Sequence, residues 1–120
     1  MVGAKLGYRG RSGFEREGET MGETGQSRAR PTVQVENERV RVTEWRFAPD
    51  ASTGYHRHEY DYVVVPLLDG RLRQTGPQGE SVRELKAGRS YFREAGVEHN
   101  VFNASGYEFA FIEVELKERR

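Results

Sequence analysis

The chain contains three histidines, and two of them stand two residues apart. His56 and His58 flank Arg57 in Gly54-Tyr55-His56-Arg57-His58, and His99 follows within Gly96-Val97-Glu98-His99-Asn100-Val101-Phe102-Asn103. On an extended strand, residues two apart project to the same face, so the first two imidazoles lie side by side. Such a pair can share one metal ion at roughly 2 Å from each nitrogen. Standing alone, the same pair is equally the pattern of two surface or hydrogen-bonded histidines. His99 joins them only if a neighbouring strand brings it alongside. With no cysteine in the chain, thiolate ligands, disulfides and a cysteine nucleophile are excluded.

Polar groups crowd the segment after His58. Strand alternation carried on from His56 and His58 directs Tyr60 and Tyr62 to the histidine face and turns Glu59 and Asp61 away, although a β-bulge would reverse Asp61. The fourth position on the ion is therefore open among Glu59, Asp61, Tyr62 and water. Tyr62 is the candidate catalytic group, with a hydroxyl to offer as proton or hydrogen bond. Glu113 interrupts an apolar strand, either as a support to the site or at a solvated edge. Trp45, Phe92, Phe102 and Phe111 read first as ordinary core and second as cavity walls.

These groups need a rigid frame, and the chain from Pro31 onward describes one. Short apolar runs alternate with turn residues: Val40, Val42, Trp45 and Phe47, then residues 63–68 stopping at Asp69-Gly70, then Gly76-Pro77-Gln78-Gly79 and Ala87-Gly88. Tyr91-Phe92, Val101-Phe102 and residues 109–116 supply further strands. The last carries apolar groups on both faces, as a strand between two covered layers does. Arg71 and Arg73 mark an exposed face, and the run from Lys117 to Arg120 a solvated end. No long helix is predicted, and the recurrence of turns points to an antiparallel all-β fold. Residues 1–30, rich in Gly, Arg, Glu and Ser, are predicted to be a mobile tail before a single domain spanning 31–120, and Met21 is an alternative start.

The two histidine-bearing segments resemble the two motifs of the cupin family. The first reads His56-Arg57-His58, the polar gap of residues 59–62, the apolar strand of residues 63–68 and Asp69-Gly70. In the second, Gly88, Gly96, His99 and Asn103 fall at the family's spacings, with Glu94 where Pro is usual. Asp50 replaces the first motif's leading Gly, and Tyr62 or Val63 occupies the family's glutamate position. The likeness covers roughly residues 39–116. It implies a jelly-roll barrel, with His56, His58 and His99 on one divalent transition metal. Asn103 and Gly96 are then turn and packing devices.

Without a carboxylate ligand the ion is more positive and favours an anionic or carboxylate-bearing ligand. An all-imidazole site suits iron, zinc or nickel, not magnesium or calcium. The cupin fold hosts many activities, so the fold does not choose among them. Three readings stay open: a metal-dependent enzyme on a small organic substrate, of dioxygenase, lyase or isomerase type; a metal-dependent binder or accessory protein of a catabolic pathway; and a scaffold without catalysis. Some thiol dioxygenases of the superfamily use an all-histidine site, which favours the dioxygenase form. The Val63-Val64-Val65-Pro66-Leu67 run after H-R-H looks like that of small cupins assigned to β-alanine or amino-acid degradation. Nineteen Lys and Arg face nineteen Asp and Glu, so no global field draws in nucleic acid, and no apolar run is long enough to span a membrane. A cytoplasmic homodimer is expected, because sheet edges and apolar outer faces need cover.

Overall fold

The computed structural model describes residues 27–117. Nine strands follow one another: β1 (Arg30–Glu36), β2 (Val40–Phe47), β3 (His56–Arg57), β4 (Asp61–Pro66), β5 (Gly70–Gly76), β6 (Gly79–Leu85), β7 (Tyr91–Arg93), β8 (Glu98–Asn103) and β9 (Phe109–Leu116). They form a five-stranded sheet ordered β1-β2-β9-β4-β7 and a four-stranded sheet ordered β3-β8-β5-β6. Paired strands run antiparallel throughout. The fold is the expected all-β jelly roll. Among the described residues no helix is long and apolar enough to cross a membrane.

Period-two alternation sets which groups face inward. In β4 it buries Tyr62, Val64 and Pro66 and leaves Asp61, Val63 and Val65 half-buried. In β9 the inward set is Phe109, Phe111, Glu113 and Glu115. Read along the β2–β9 ladder, the cross-strand pairs are Phe47–Phe109, Trp45–Phe111, Thr43–Glu113 and Arg41–Glu115. One end of the inner face is therefore wholly apolar and the other charged. At the apolar end the two sheets close over Phe47, Phe109, Leu72, Val101 and Ala51.

Asn103 pins that closed end. Its side chain is fully buried, and its Nδ2 donates to the carbonyls of Phe47, Ala48 and Tyr107 at 3.3, 3.2 and 2.7 Å. Its Oδ1 accepts from the amide of Ser105 at 2.9 Å. One side chain thus ties the end of β2 to the loop between β8 and β9, the device expected of it. Gly70 is needed where β5 begins, because a Cβ there would overlap the Phe109 ring.

The structure departs from the expected elements at their polar margins. Strand β4 ends at Pro66, and Leu67 and Leu68 are exposed in the turn that follows. Strands β1 and β6 lie at sheet edges with little buried surface; β6 carries no apolar alternation, whereas in β1 Pro31, Val33 and Val35 alternate with polar residues although all are exposed. Residues 27–30, assigned to the tail by composition, belong to the fold: Ala29 is buried and donates to Ser52 O at 2.8 Å, and Ser52 N donates to Ser27 O at 3.1 Å. Residues 1–26 and 118–120, with Met21, Arg119 and Arg120, lie outside the described part, whereas Lys117, expected in a solvated end, is bonded to Glu36 and to Asn37 O at 3.0 Å.

Replacing Asn103 with Ala leaves several buried carbonyls short of a donor. It is expected to cost on the order of 3 kcal/mol, read as a lower urea midpoint at unchanged slope. A midpoint equal to wild type would remove Asn103 from this role.

Candidate metal centre

Strand β3 is only two residues long, yet its register settles the site. His56 stands directly opposite His99 on β8, and Arg57 opposite Glu98. His58 lies just past β3 but is held as if the ladder continued: its amide donates to Val97 O, and its carbonyl accepts from Gly96 N, both at 2.8 Å. Gly96 adopts a φ of 99°, which turns the chain into β8 at that point. The three rings converge. His56 Nε2 lies 3.0 Å from His58 Nε2, which lies 3.1 Å from His99 Nε2. The three ligand-type nitrogens all fall within 4.8 Å of one another.

The far side of each ring explains its orientation. His56 Nδ1 donates to Gly54 O at 2.9 Å, and a carbonyl can only accept. His99 Nδ1 donates to Gln74 Oε1 on β5 at 2.8 Å. His58 Nδ1 faces Glu113 Oε2 at 3.8 Å, and its ring stacks on Tyr62 with centroids 3.8 Å apart at 13°. Protons held on Nδ1 of His56 and His99 leave their Nε2 lone pairs aimed at the common centre. Burial, reinforced by the neighbouring His56, pushes His58 down to about 3 and His99 to about 4, so both rings are neutral near pH 7. Two nitrogens about 2.1 Å from one ion and at right angles stand about 3.0 Å apart. The donor set and the two shorter spacings fit a divalent ion of the imidazole-preferring kind, whereas a spacing of up to 4.8 Å exceeds the roughly 4.2 Å that two nitrogens on one ion can span, so the cluster must tighten slightly to hold it with all three rings.

A cavity of about 700 Å³ opens onto the cluster. Its other wall is the five-stranded sheet, whose cross-strand rows can be read from the register. Thr43, Glu113, Val64 and Tyr91 make one row, and Arg41, Glu115, Tyr62 and Arg93 the next. Glu113 accepts a 3.2 Å bond from Trp45 Nε1, and burial together with the neighbouring Glu115 lifts its carboxyl to about 7. Arg41 holds Glu115 through two bonds of 2.6 and 3.2 Å. Tyr62 is 2% exposed, and its hydroxyl is buried with no hydrogen-bond partner.

Most of the predicted groups meet here, but not all. His56, His58, His99, Tyr62, Trp45, Phe111 and Glu113 line the cavity, and Glu113 is buried beside His58 instead of at a solvated edge. Asp61 does not turn in, because its Oδ1 accepts from Ala95 N at 2.9 Å. Glu59 and Tyr60 exchange their expected places, with the exposed Glu59 on the cavity rim and Tyr60 off its wall, since the chain bends there and alternation lapses. Phe92 is 53% exposed, and Phe102 packs under the Arg73 guanidinium at 4.1 Å, so neither is a cavity wall. Gln74 and Arg93 were not foreseen. Gln74 could have been found from its alternation with Leu72, whereas nothing in the sequence around Arg93 marks it.

Comparison with known proteins agrees with this geometry. A family model described as the cupin domain matches residues 43–115, and the chain belongs to that family. It is 60% identical over 94 residues to the β-alanine degradation protein BauB of Pseudomonas aeruginosa, an overlap spanning 78% of this chain and 99% of that one. The crystal structure of a cupin domain from Bordetella pertussis Tohama I is 54% identical at a TM-score of 0.76, over 78% of this chain and 97% of that one. The polyketide cyclase RemF from Streptomyces resistomycificus is more distant, at 25% identity and a TM-score of 0.57, over 76% of this chain and 65% of that one.

The lowered imidazoles carry a stability consequence. An unfolded histidine titrates near 6.5, so below that pH the unfolded chain binds more protons than the folded one, and stability falls with pH. Glu113 acts in the opposite sense: its raised value favours the fold at low pH, a contribution lost as pH rises through about 7. In metal-free Glu113→Gln protein the opposing contribution is removed, and the urea midpoint is expected to fall steadily from pH 7 to 4.5. A flat profile would mean that His58 and His99 are not held neutral by the fold.

Proposed function

We propose that this chain is a metal-dependent cupin that holds one divalent transition metal through His56, His58 and His99 and uses it on a small organic substrate in a degradative pathway. The observation carrying this reading is the convergence of three Nε2 atoms, with His56 and His99 held from behind by Gly54 O and Gln74 and His58 stacked on Tyr62. The match to a protein named for β-alanine degradation supports the pathway class.

The bound ion would supply activation of a coordinated small molecule, by polarisation or, for iron, by redox chemistry. The chain supplies the rest. Three neutral imidazoles take one side of the centre, and the cavity gives access to the other. Gln74 sets the tautomer of His99, the Glu113 carboxylate lies 3.8 Å from His58 Nδ1, and Tyr62 covers the His58 ring face. Trp45 and Phe111 keep the inner wall apolar, which limits water near the reacting group. Open positions beside three imidazoles suit a substrate and dioxygen together, so a dioxygenase of a small organic compound is the enzyme form of this reading.

A non-enzymatic accessory role is the alternative, favoured by the relative's description as a degradation protein without a named reaction. Elemental analysis of untagged protein, followed by oxygen uptake with candidate substrates, separates the two. One equivalent of iron with uptake supports the dioxygenase; metal without turnover supports the accessory role; no metal after reconstitution contradicts both. His58→Ala is expected to abolish metal loading while retaining the β-sheet circular-dichroism signal. Gln74→Leu, which frees the His99 tautomer, is expected to weaken metal affinity about 10–100-fold. Unchanged affinity in both variants would move the site elsewhere.

A further inference from the structure

The cations of the cavity are not equivalent. Arg41 is bound by Glu115 at two points, and Arg57, 67% exposed on the rim, lies 3.9 Å from Glu98. Arg93 differs from both. It is half-buried and lines the cavity, and among the described residues its guanidinium makes no hydrogen bond or ion pair. Its direction follows from the register: Arg93 is the cross-strand partner of Tyr62, so the two side chains share the inner face, while Phe92 between Tyr91 and Arg93 points out. Arg93 lines the same cavity as His56, His58, His99 and Tyr62.

Beside this cation stands an orphan. The Tyr62 hydroxyl is buried without a partner, a costly state that calls for a hydrogen-bonding group from outside the chain. A guanidinium without a counter-ion and a hydroxyl without an acceptor, on neighbouring strands of one face, together match a carboxylate. One carboxylate oxygen takes Arg93 N–H groups and the other the Tyr62 O–H. The Tyr62 ring lies flat on His58, so a molecule anchored this way needs only a short chain to present its other end to the three histidines.

We propose that Arg93 and the Tyr62 hydroxyl form a carboxylate-binding subsite that selects short organic acids for the site held by His56, His58 and His99. This rests on the metal-dependent reading above and names its substrate class. Both residues position substrate, and neither ligates the ion.

Trp45, the chain's one tryptophan, lines the same cavity and reports occupancy by fluorescence. The metal-loaded full-length protein is titrated with propionate and 3-hydroxypropionate, with propionamide as the uncharged control, and the metal content of each sample is measured. The wild type is expected to bind the acids at least tenfold more tightly than the amide. Arg93→Gln is expected to lose at least tenfold for the acids alone, Arg93→Lys to recover part of that loss, and Tyr62→Phe to lose severalfold, all with metal retained. A wild type that binds acid and amide alike, or binds neither, overturns the subsite, as does undiminished acid binding by Arg93→Gln. Absence of metal in a wild type that still prefers acids would overturn the metal-dependent reading and leave the subsite standing.

Discussion

Three ring nitrogens aimed at one another are poor neighbours unless something positive stands among them. In this chain two of them are aimed by hydrogen bonds on the opposite side of the rings, donated by His56 Nδ1 to Gly54 O and by His99 Nδ1 to Gln74 Oε1. The rest of the barrel serves that convergence. The β3–β8 register brings His56 and His99 face to face, and the ladder-like bonds at His58 extend it by one residue. The five-stranded sheet then lays Tyr62 and Glu113 against the third ring. Burial makes the cluster fit for an ion, because it keeps His58 and His99 neutral and their lone pairs available.

The inner face of the β2–β9 ladder changes character over four cross-strand pairs, from Phe47–Phe109 to Arg41–Glu115. The apolar pairs and Asn103 fasten one end of the barrel and supply its stability. The polar pairs would be a defect in a core, yet here they border a cavity. Glu113 sits at the changeover, buried enough to have its carboxyl raised and close enough to His58 to orient it. One ladder thus provides both the anchor of the fold and the chemistry of the wall.

What could be read from the sequence follows from this division. His56, His58 and His99 were legible because the chain's three histidines fall on the histidine positions of the two cupin motifs; the two-residue spacing alone fits a surface pair as well. The central strands were legible because burial on one face leaves alternation in the residues. Strand β6 buries little and leaves no such trace, and the short Val33, Val35 alternation of β1 was passed over. Phe92 misled for the opposite reason: a large aromatic in a strand reads as core, but on edge strand β7 it faces solvent. Glu113 stayed ambiguous because a carboxylate in an apolar strand looks the same at an edge and in a cavity. Arg93 left no sequence signal, since only the pairing of β7 with β4 turns it inward.

The most direct measurement is anomalous diffraction from crystals of untagged protein, with data collected at the iron, nickel and zinc absorption edges. The account predicts one strong peak among the Nε2 atoms of His56, His58 and His99, about 2.1 Å from each. A density map with no anomalous peak after metal reconstitution, and with the imidazoles bonded only to one another, would contradict it.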